Sequence, residues 1–140
     1  MSSDLIRFTV SMPEDLMVRF DEWVARRGVG RNRSEAVRDL VRDALVVEET
    51  DVPGAEVMGT LTIVFSHHAH DVQEKLHQVQ HMYYGRITST THVHLDEDNC
   101  LEVIILRGET TEVRLISDLI LGTKGVKTGG LVLTTTGQMI

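Results

Sequence analysis

Residues 5 to 11, Leu5-Ile6-Arg7-Phe8-Thr9-Val10-Ser11, alternate with a period of two: Ile6, Phe8 and Val10 fall on one side, Arg7, Thr9 and Ser11 on the other. This is the pattern of a half-buried strand. The pattern then turns helical. Ser11-Met12-Pro13-Glu14 fits a helix start with Ser11 as N-cap, Glu14 three residues on and Pro13 in the first turn. Leu16, Phe20, Trp23 and Val24 then recur at helical spacing up to Gly28, and Asn32-Arg33-Ser34-Glu35 opens a second helix carrying Ala36, Val37, Leu40, Val41, Ala44 and Leu45. A strand with no neighbour in its own module leaves its backbone groups unpaired, and a module of about 45 residues cannot bury a sufficient core. The module must therefore dimerise. Pairing the strand with its copy across a two-fold axis makes an antiparallel ribbon with Ile6, Phe8 and Val10 inward and Arg7, Thr9 and Ser11 outward.

From Val46 to Glu56 the periodicity is lost, and the segment reads as a linker. Beyond it the pattern predicts a strand at 57–66, a helix at 71–84, strands at 86–95 and 100–107, a helix at 110–122 and a strand at 130–136. Val72, Leu76, Val79 and Tyr83 stripe the first of these helices, and Val113, Ile116, Leu119 and Ile120 the second. The βαββαβ order is the ferredoxin-like arrangement, with helices on one sheet face and the other face left for association. The expected organisation is thus α+β: a βαα module at 1–48, a linker at 49–56 and a βαββαβ domain at 57–140.

The chain carries a net charge of −7, which at first sight argues against nucleic acid. The charge is unevenly spread. Residues 1–45 hold eight arginines, no lysine and eight acids, so the whole excess of acid lies in the remainder. Aromatic residues make up only 4%, so the core must be aliphatic. No apolar run is long enough to span a bilayer, and Met1-Ser2-Ser3-Asp4 lacks the basic and apolar regions of a signal peptide, so no membrane partner is expected. A single cysteine cannot form an internal disulfide, which reads as cytosolic and leaves Cys100 as a reactive or ligating thiol.

All seven histidines fall between 67 and 94. The sharpest local feature is Thr91-His92-Val93-His94-Leu95-Asp96-Glu97-Asp98-Asn99-Cys100. On a strand His92 and His94 face the same side. If the hairpin pairs His94 with Cys100, leaving five residues in the turn, Cys100 lies beside His94 and Glu102 opposite His92. A four-residue turn would pair Leu95 with Cys100 and spoil the site. Two imidazoles and a thiolate are an incomplete inner sphere. His81, on a helix in Gln80-His81-Met82, is the candidate fourth ligand and can come from a neighbouring subunit. Against this stands the plainer alternative of polar histidines on an exposed strand and a small buried cysteine. A cysteine nucleophile with a histidine base would need an oxyanion site and an orienting carboxylate, and neither can be placed.

The βαα module resembles the ribbon-helix-helix DNA-binding proteins, whose two-stranded ribbon enters the major groove. From about Arg7 to Leu133 the chain resembles the nickel-responsive transcriptional regulator family, a ribbon-helix-helix domain followed by an ACT-like regulatory domain that forms a tetramer. The pieces that carry this are Arg7-Phe8-Thr9-Val10-Ser11, Asn32-Arg33-Ser34-Glu35-Ala36, Gln80-His81, His92-Val93-His94 and Cys100-Leu101-Glu102, in that order. The resemblance implies Ni(II), one per subunit, on His92, His94 and Cys100 of one subunit and His81 of its partner. Three imidazoles and a thiolate in a plane suit low-spin Ni(II), Cu(II) would bind at least as tightly, and Zn(II) prefers a tetrahedron. Gln80 and Glu102 are candidates to orient the imidazoles.

The resemblance also implies that Arg7, Thr9 and Ser11 read base edges and that the helix start at Arg33 and Ser34 meets a backbone phosphate. Glu35 and Asp39 resemble a secondary cation site of some members, a plain acidic helix face being the alternative. The chain departs from the family in two places. Ser66-His67-His68-Ala69-His70-Asp71 stands where some members carry lysine and arginine, and Gly28-Val29-Gly30-Arg31-Asn32 is about one residue longer than usual. His67, His68 and His70 are candidates for additional metal, and His67 with His81 and His94 resembles an alternative site in parts of the family. The expectation is a non-enzymatic, cytoplasmic, homotetrameric repressor, a dimer of dimers, that binds nickel and then a palindromic double-stranded operator. The alternatives are the same architecture answering to cobalt, copper or zinc, or an ACT regulator of a small ligand whose histidines are incidental.

Overall fold

The computed structural model describes residues 4–28 and 30–138; Val29 of the helix-helix turn lies outside them. Its elements are α1 (Glu14–Arg26), α2 (Arg33–Asp51), β1 (Glu56–Ser66), α3 (Val72–Met82), β2 (Ile87–His94), β3 (Asn99–Glu109), α4 (Thr110–Leu121) and β4 (Val126–Thr135). The chain divides into two compact units between Arg42 and Asp43, within α2.

In the first unit, residues 4–13 form no strand within a single chain. The reason is the one that makes the sequence demand a second copy: a strand exists only by pairing. Ile6 and Phe8 are 88% and 71% exposed, so the side meant to face inward has nothing to face. Ser11 is not the cap of α1. The helix begins at Glu14 with Pro13 at its cap and no side-chain cap bond, because a proline disfavours helical geometry at the residue before it. The start of α2 is as read. Asn32 Oδ1 accepts from the Glu35 amide at 2.9 Å, and Glu35 Oε2 accepts from the Asn32 amide at 3.3 Å, a reciprocal capping box. Phe20 and Trp23 stack at 6.0 Å, but among the described apolar residues of this unit only Val24 and Ala36 are buried. Leu16, Val18, Leu40 and Val41 remain exposed, a unit without a closed core of its own.

The second unit is a four-stranded antiparallel sheet in the order β2-β3-β1-β4, the ferredoxin-like arrangement. Val57, Leu61, Ile63 and Phe65 of β1 and Cys100, Ile104 and Leu106 of β3 pack against Val72 and Leu76 of α3 and Val113, Ile116 and Ile120 of α4. The opposite face, with Met58, Val64, Val103 and Ile105 half-buried and Val132 exposed, carries neither α3 nor α4.

Two boundaries differ from the sequence reading. Residues 46–51, expected as linker, belong to α2, whose end is tied to α4: Thr110 Oγ1 donates to the Thr50 carbonyl at 2.8 Å, and Arg114 pairs with Asp51 at 3.2 Å. These ties are long-range, so local periodicity does not report them. The last strand starts at Val126 rather than 130, because Gly129, which looks like a breaker, lies in register opposite Ile63. A Cβ there would come within 2.5 Å of the Thr62 carbonyl. Gly125, at φ +105°, accepts from the Ser66 amide and lies so close to Val72 that a Cβ would sit 2.7 Å from Cγ2; this fixes the histidine-bearing segment between β1 and α3.

Candidate metal centre

The turn between β2 and β3 is held by Asp96. Its Oδ1 accepts from the amides of Asp98 and Asn99, each at 2.8 Å, and from Asn99 Nδ2 at 3.1 Å. These bonds, the Asn99 side chain's first, hold the Asp96 carboxyl below the usual carboxylate range. The turn sets the register His94↔Cys100, Val93↔Leu101 and His92↔Glu102, the five-residue alternative of the two weighed from sequence.

A bulge decides which face the histidines occupy. Ile87 pairs with Leu106 and Ser89 with Ile105, so Thr88 is an extra residue on β2. Without it, the alternation that turns Ile87 toward the helices would carry Ser89, Thr91 and Val93 to that side. With it, His92 and His94 share the helix-covered face with Cys100 and Glu102. Because β2 is an edge strand, both rings stay exposed while the Cys100 thiol is fully buried.

Of the two rings, His94 reaches the sulfur; His92 is not among the donors that gather at it. His94 Nδ1 lies 3.5 Å from Cys100 Sγ, and the His92 and His94 centroids are 5.0 Å apart. His92 also meets the edge of Phe65 at 5.7 Å. Glu102, buried opposite His92, accepts from Gln80 Nε2 at 2.9 Å, which docks the last turns of α3 onto β3. His81, next to Gln80, is exposed near the end of α3. It is not brought to the thiol within the chain.

The residue that is brought there is His67. Its amide donates to the Asp98 carbonyl at 2.7 Å, and its Nδ1 lies 3.4 Å from Cys100 Sγ. Among the described residues, one atom each of His67, His94 and Cys100 lie mutually within 4.8 Å. The sequence alone makes His67 a candidate only for additional metal. The missing signal is the β1–β3 register, in which Ser66 pairs with Asn99 and so delivers the next residue beside Cys100. A buried thiol met by imidazole nitrogens from two segments is a donor set suited to a borderline or soft divalent metal, and the residues fit nickel on that ground.

In the first unit Arg7, Thr9 and Ser11 are exposed. The Arg33 side chain forks onto Asp21, Nε to Oδ1 and Nη2 to Oδ2, both at 2.7 Å. The Arg33 guanidinium is thus engaged within the chain. The pair also lowers the Asp21 pKa and raises that of Arg33, chiefly through the hydrogen bond. Glu35 and Asp39 do not stand as a bare acidic pair: Glu35 closes the capping box, and Asp39 pairs with Arg31 and, at 3.6 Å, with Arg42.

Residues 58–134 match the family described as the NikR C terminal nickel binding domain, and residues 6–47 the ribbon-helix-helix proteins of the copG family. Proteins described as "Putative nickel-responsive regulator" resemble the chain over nearly its full length. That of Solibacter usitatus is 48% identical over 135 residues, covering 96% of each chain. Those of Pyrococcus horikoshii and Geobacter sulfurreducens are each 47% identical, covering 96% of this chain and 97% and 96% of theirs. The solved structure of uncharacterized protein TM1266 from Thermotoga maritima superposes with a TM-score of 0.51 at 15% identity, over 56% of this chain and 96% of that one, a likeness of fold alone. The two family matches define the class, a two-module transcriptional regulator rather than an enzyme. The chain belongs to the nickel-responsive regulator family, with an N-terminal ribbon-helix-helix DNA-binding region and a C-terminal nickel-binding domain. No helix of the described residues is long and apolar enough to cross a membrane.

Proposed function

We propose that the protein is a nickel-dependent repressor, a cytoplasmic homotetramer built as a dimer of dimers. Residues 1–48 serve as the operator-binding domain and 57–140 as the metal-binding and tetramerising one. His92, His94 and Cys100 of one subunit and His81 of another would hold one Ni(II) per subunit, with Gln80 and Glu102 orienting them. Arg7, Thr9 and Ser11 would read base edges of a palindromic operator from the paired ribbon, and the amides of Arg33 and Ser34 would meet phosphate. The metal supplies a fixed link between subunits. Binding it favours the arrangement of ribbons that matches the operator, and by linkage operator binding tightens metal binding equally.

One observation supports this reading: the β2–β3 register sets His94 beside Cys100 and His92 one pair along, while His81 is exposed on α3 and outside the cluster at the thiol, so a planar set that includes His81 would be completed by another copy. The exposed Ile6, Phe8 and Val10 and the bare sheet face support the two kinds of pairing that a dimer of dimers needs. The test is titration of the metal-free protein with Ni(II) followed in the ultraviolet and visible. The expected result is a thiolate charge-transfer band with planar d–d bands saturating at one ion per subunit. Saturation without a thiolate band would contradict the site.

A further inference from the structure

We propose that the C-terminal unit holds a binding site for a small organic ammonium ion with an apolar body, formed where the last turns of α2 meet α4 and β4. The site is a cavity of about 420 Å³, within the roughly 300–1,000 Å³ usual for small-molecule sites. All of its lining residues belong to the second unit, and no candidate nickel ligand is among them.

The lining dictates the ligand. Leu121 of α4 and Leu131 and Leu133 of β4, all half-buried, supply apolar surface, and Val47 of α2 adds to it. A bare inorganic ion gains nothing from such surface, so the occupant has a hydrocarbon body. Its charge follows from the polar residues. Asp51 is paired with Arg114 at 3.2 Å, whereas Asp118 is exposed and, among the described residues, has no side-chain partner. An anion would meet a net negative lining and a guanidinium already engaged. A cation meets a carboxylate with nothing bound to it.

Ser117 makes the second, independent argument. It lines the same cavity, is 1% exposed, and among the described residues its Oγ is a buried side-chain oxygen with no hydrogen-bond partner. Buried hydroxyls are nearly always bonded, and one that is not raises the free energy of the state that holds it. A primary ammonium carries three donors. One can be accepted by Ser117 Oγ and another by the carboxylate of Asp118, the next residue of α4. The hydroxyl is closed to water, so the ligand reaches it by displacing a side chain of the lining, and Val47, 62% exposed, is the one least held by packing. The Thr50 hydroxyl does not compete, because it donates to the Val47 carbonyl at 3.0 Å. A ligand seated here touches α2, α4 and β4 together and thereby holds the last turns of α2 in place.

The experiment uses full-length metal-free protein, wild type and the Ser117→Ala and Asp118→Asn variants. The probe is phenethylammonium, with phenethyl alcohol and phenylpropanoate as its neutral and anionic counterparts, titrated by calorimetry and located by hydrogen exchange. The ammonium should bind roughly three- to tenfold more tightly than either counterpart at low salt, a preference that shrinks as salt is raised. Asp118→Asn should erase that preference. Ser117→Ala should weaken ammonium binding by roughly two- to tenfold, yet unfold no more readily in urea than wild type, since the change removes an orphan hydroxyl rather than a bond. Amides of residues 47–51 should exchange more slowly with the probe bound. Equal affinity for the ammonium and the alcohol, an undiminished preference in Asp118→Asn, or protection that leaves out residues 47–51 would overturn the proposal. Both variants should keep the wild-type nickel spectrum; a wild-type protein without the thiolate band would refute the nickel site and leave this one standing.

Discussion

Gln80→Ala should destabilise the C-terminal unit through a residue that is not itself a ligand. Glu102 is 8% exposed and sits among apolar side chains of β1, β3 and the two helices, with the Gln80 amide donating to it at 2.9 Å. Removing the donor leaves a buried carboxylate short of a partner, which costs about 1–3 kcal/mol and more as burial deepens. Gln80 is itself half-buried, so water reaches part of the gap and a loss of about 1–2 kcal/mol is expected. The assay is urea unfolding of metal-free full-length protein at one fixed concentration, because assembly shifts apparent stability by mass action. In a Glu102→Leu background the same change should cost little, giving a coupling of at least about 1 kcal/mol. An equal loss in both backgrounds would mean that Gln80 acts by packing alone and would refute the reasoning. Nickel affinity of Gln80→Ala should also fall, by roughly 10- to 100-fold, since this contact seats the end of α3 beside the β2–β3 hairpin.

Three further outcomes are expected. Arg7→Ala should lose roughly 1–3 kcal/mol of operator discrimination per site while nickel stoichiometry is unchanged; isotherms on operator and scrambled DNA at one salt concentration decide it, and an unchanged specificity ratio refutes the assignment. Because the Asp96 carboxyl is held below its ordinary value, its stabilising effect should be present above about pH 4 and lost as pH falls through the lowered value. Asp96→Asn should therefore flatten the acid limb of the stability profile, and an unaltered limb would contradict this. Metal-free protein should sediment as a tetramer, since the bare sheet face rather than nickel supplies most of the association area; only dimers at micromolar concentration would contradict it.

Much of the fold and part of the site are legible in the sequence because they are local. The capping box at Asn32 and Glu35 and the stripes of α3 and α4 depend on residues a few positions apart, and locality narrows the β2–β3 turn to two lengths, of which the structure has the five-residue one. Most of the features that escape it depend on distant partners, the cap of α1 being a local exception. The helical state of residues 46–51 reflects ties to α4, and the cap of α1 the restriction Pro13 places on Met12. The bulge at Thr88 is the instructive case. Strict alternation from Ile87 would turn Val93 toward the helices and the histidines away, and only the mismatch of that phase with the turn's phase betrays an extra residue. His67 escapes notice as a thiol neighbour because its position is set by the β1–β3 register across 33 residues of chain.

The claim that nickel joins subunits is tested most directly by mixing two damaged proteins. His81→Ala and Cys100→Ala are unfolded and refolded together, and nickel bound per tetramer is read from the thiolate-to-nickel absorption. Alone, Cys100→Ala should lack that band, and His81→Ala should give a weakened or displaced one. In a mixed tetramer a Cys100→Ala subunit can lend its His81 to a neighbour that keeps His92, His94 and Cys100, so some intact sites and the wild-type band should return. A site built within one chain could never be repaired in this way, because every chain carries one lesion. A mixture whose spectrum is merely the sum of its parents would contradict the shared site, and with it the means by which metal sets the DNA-binding ribbons.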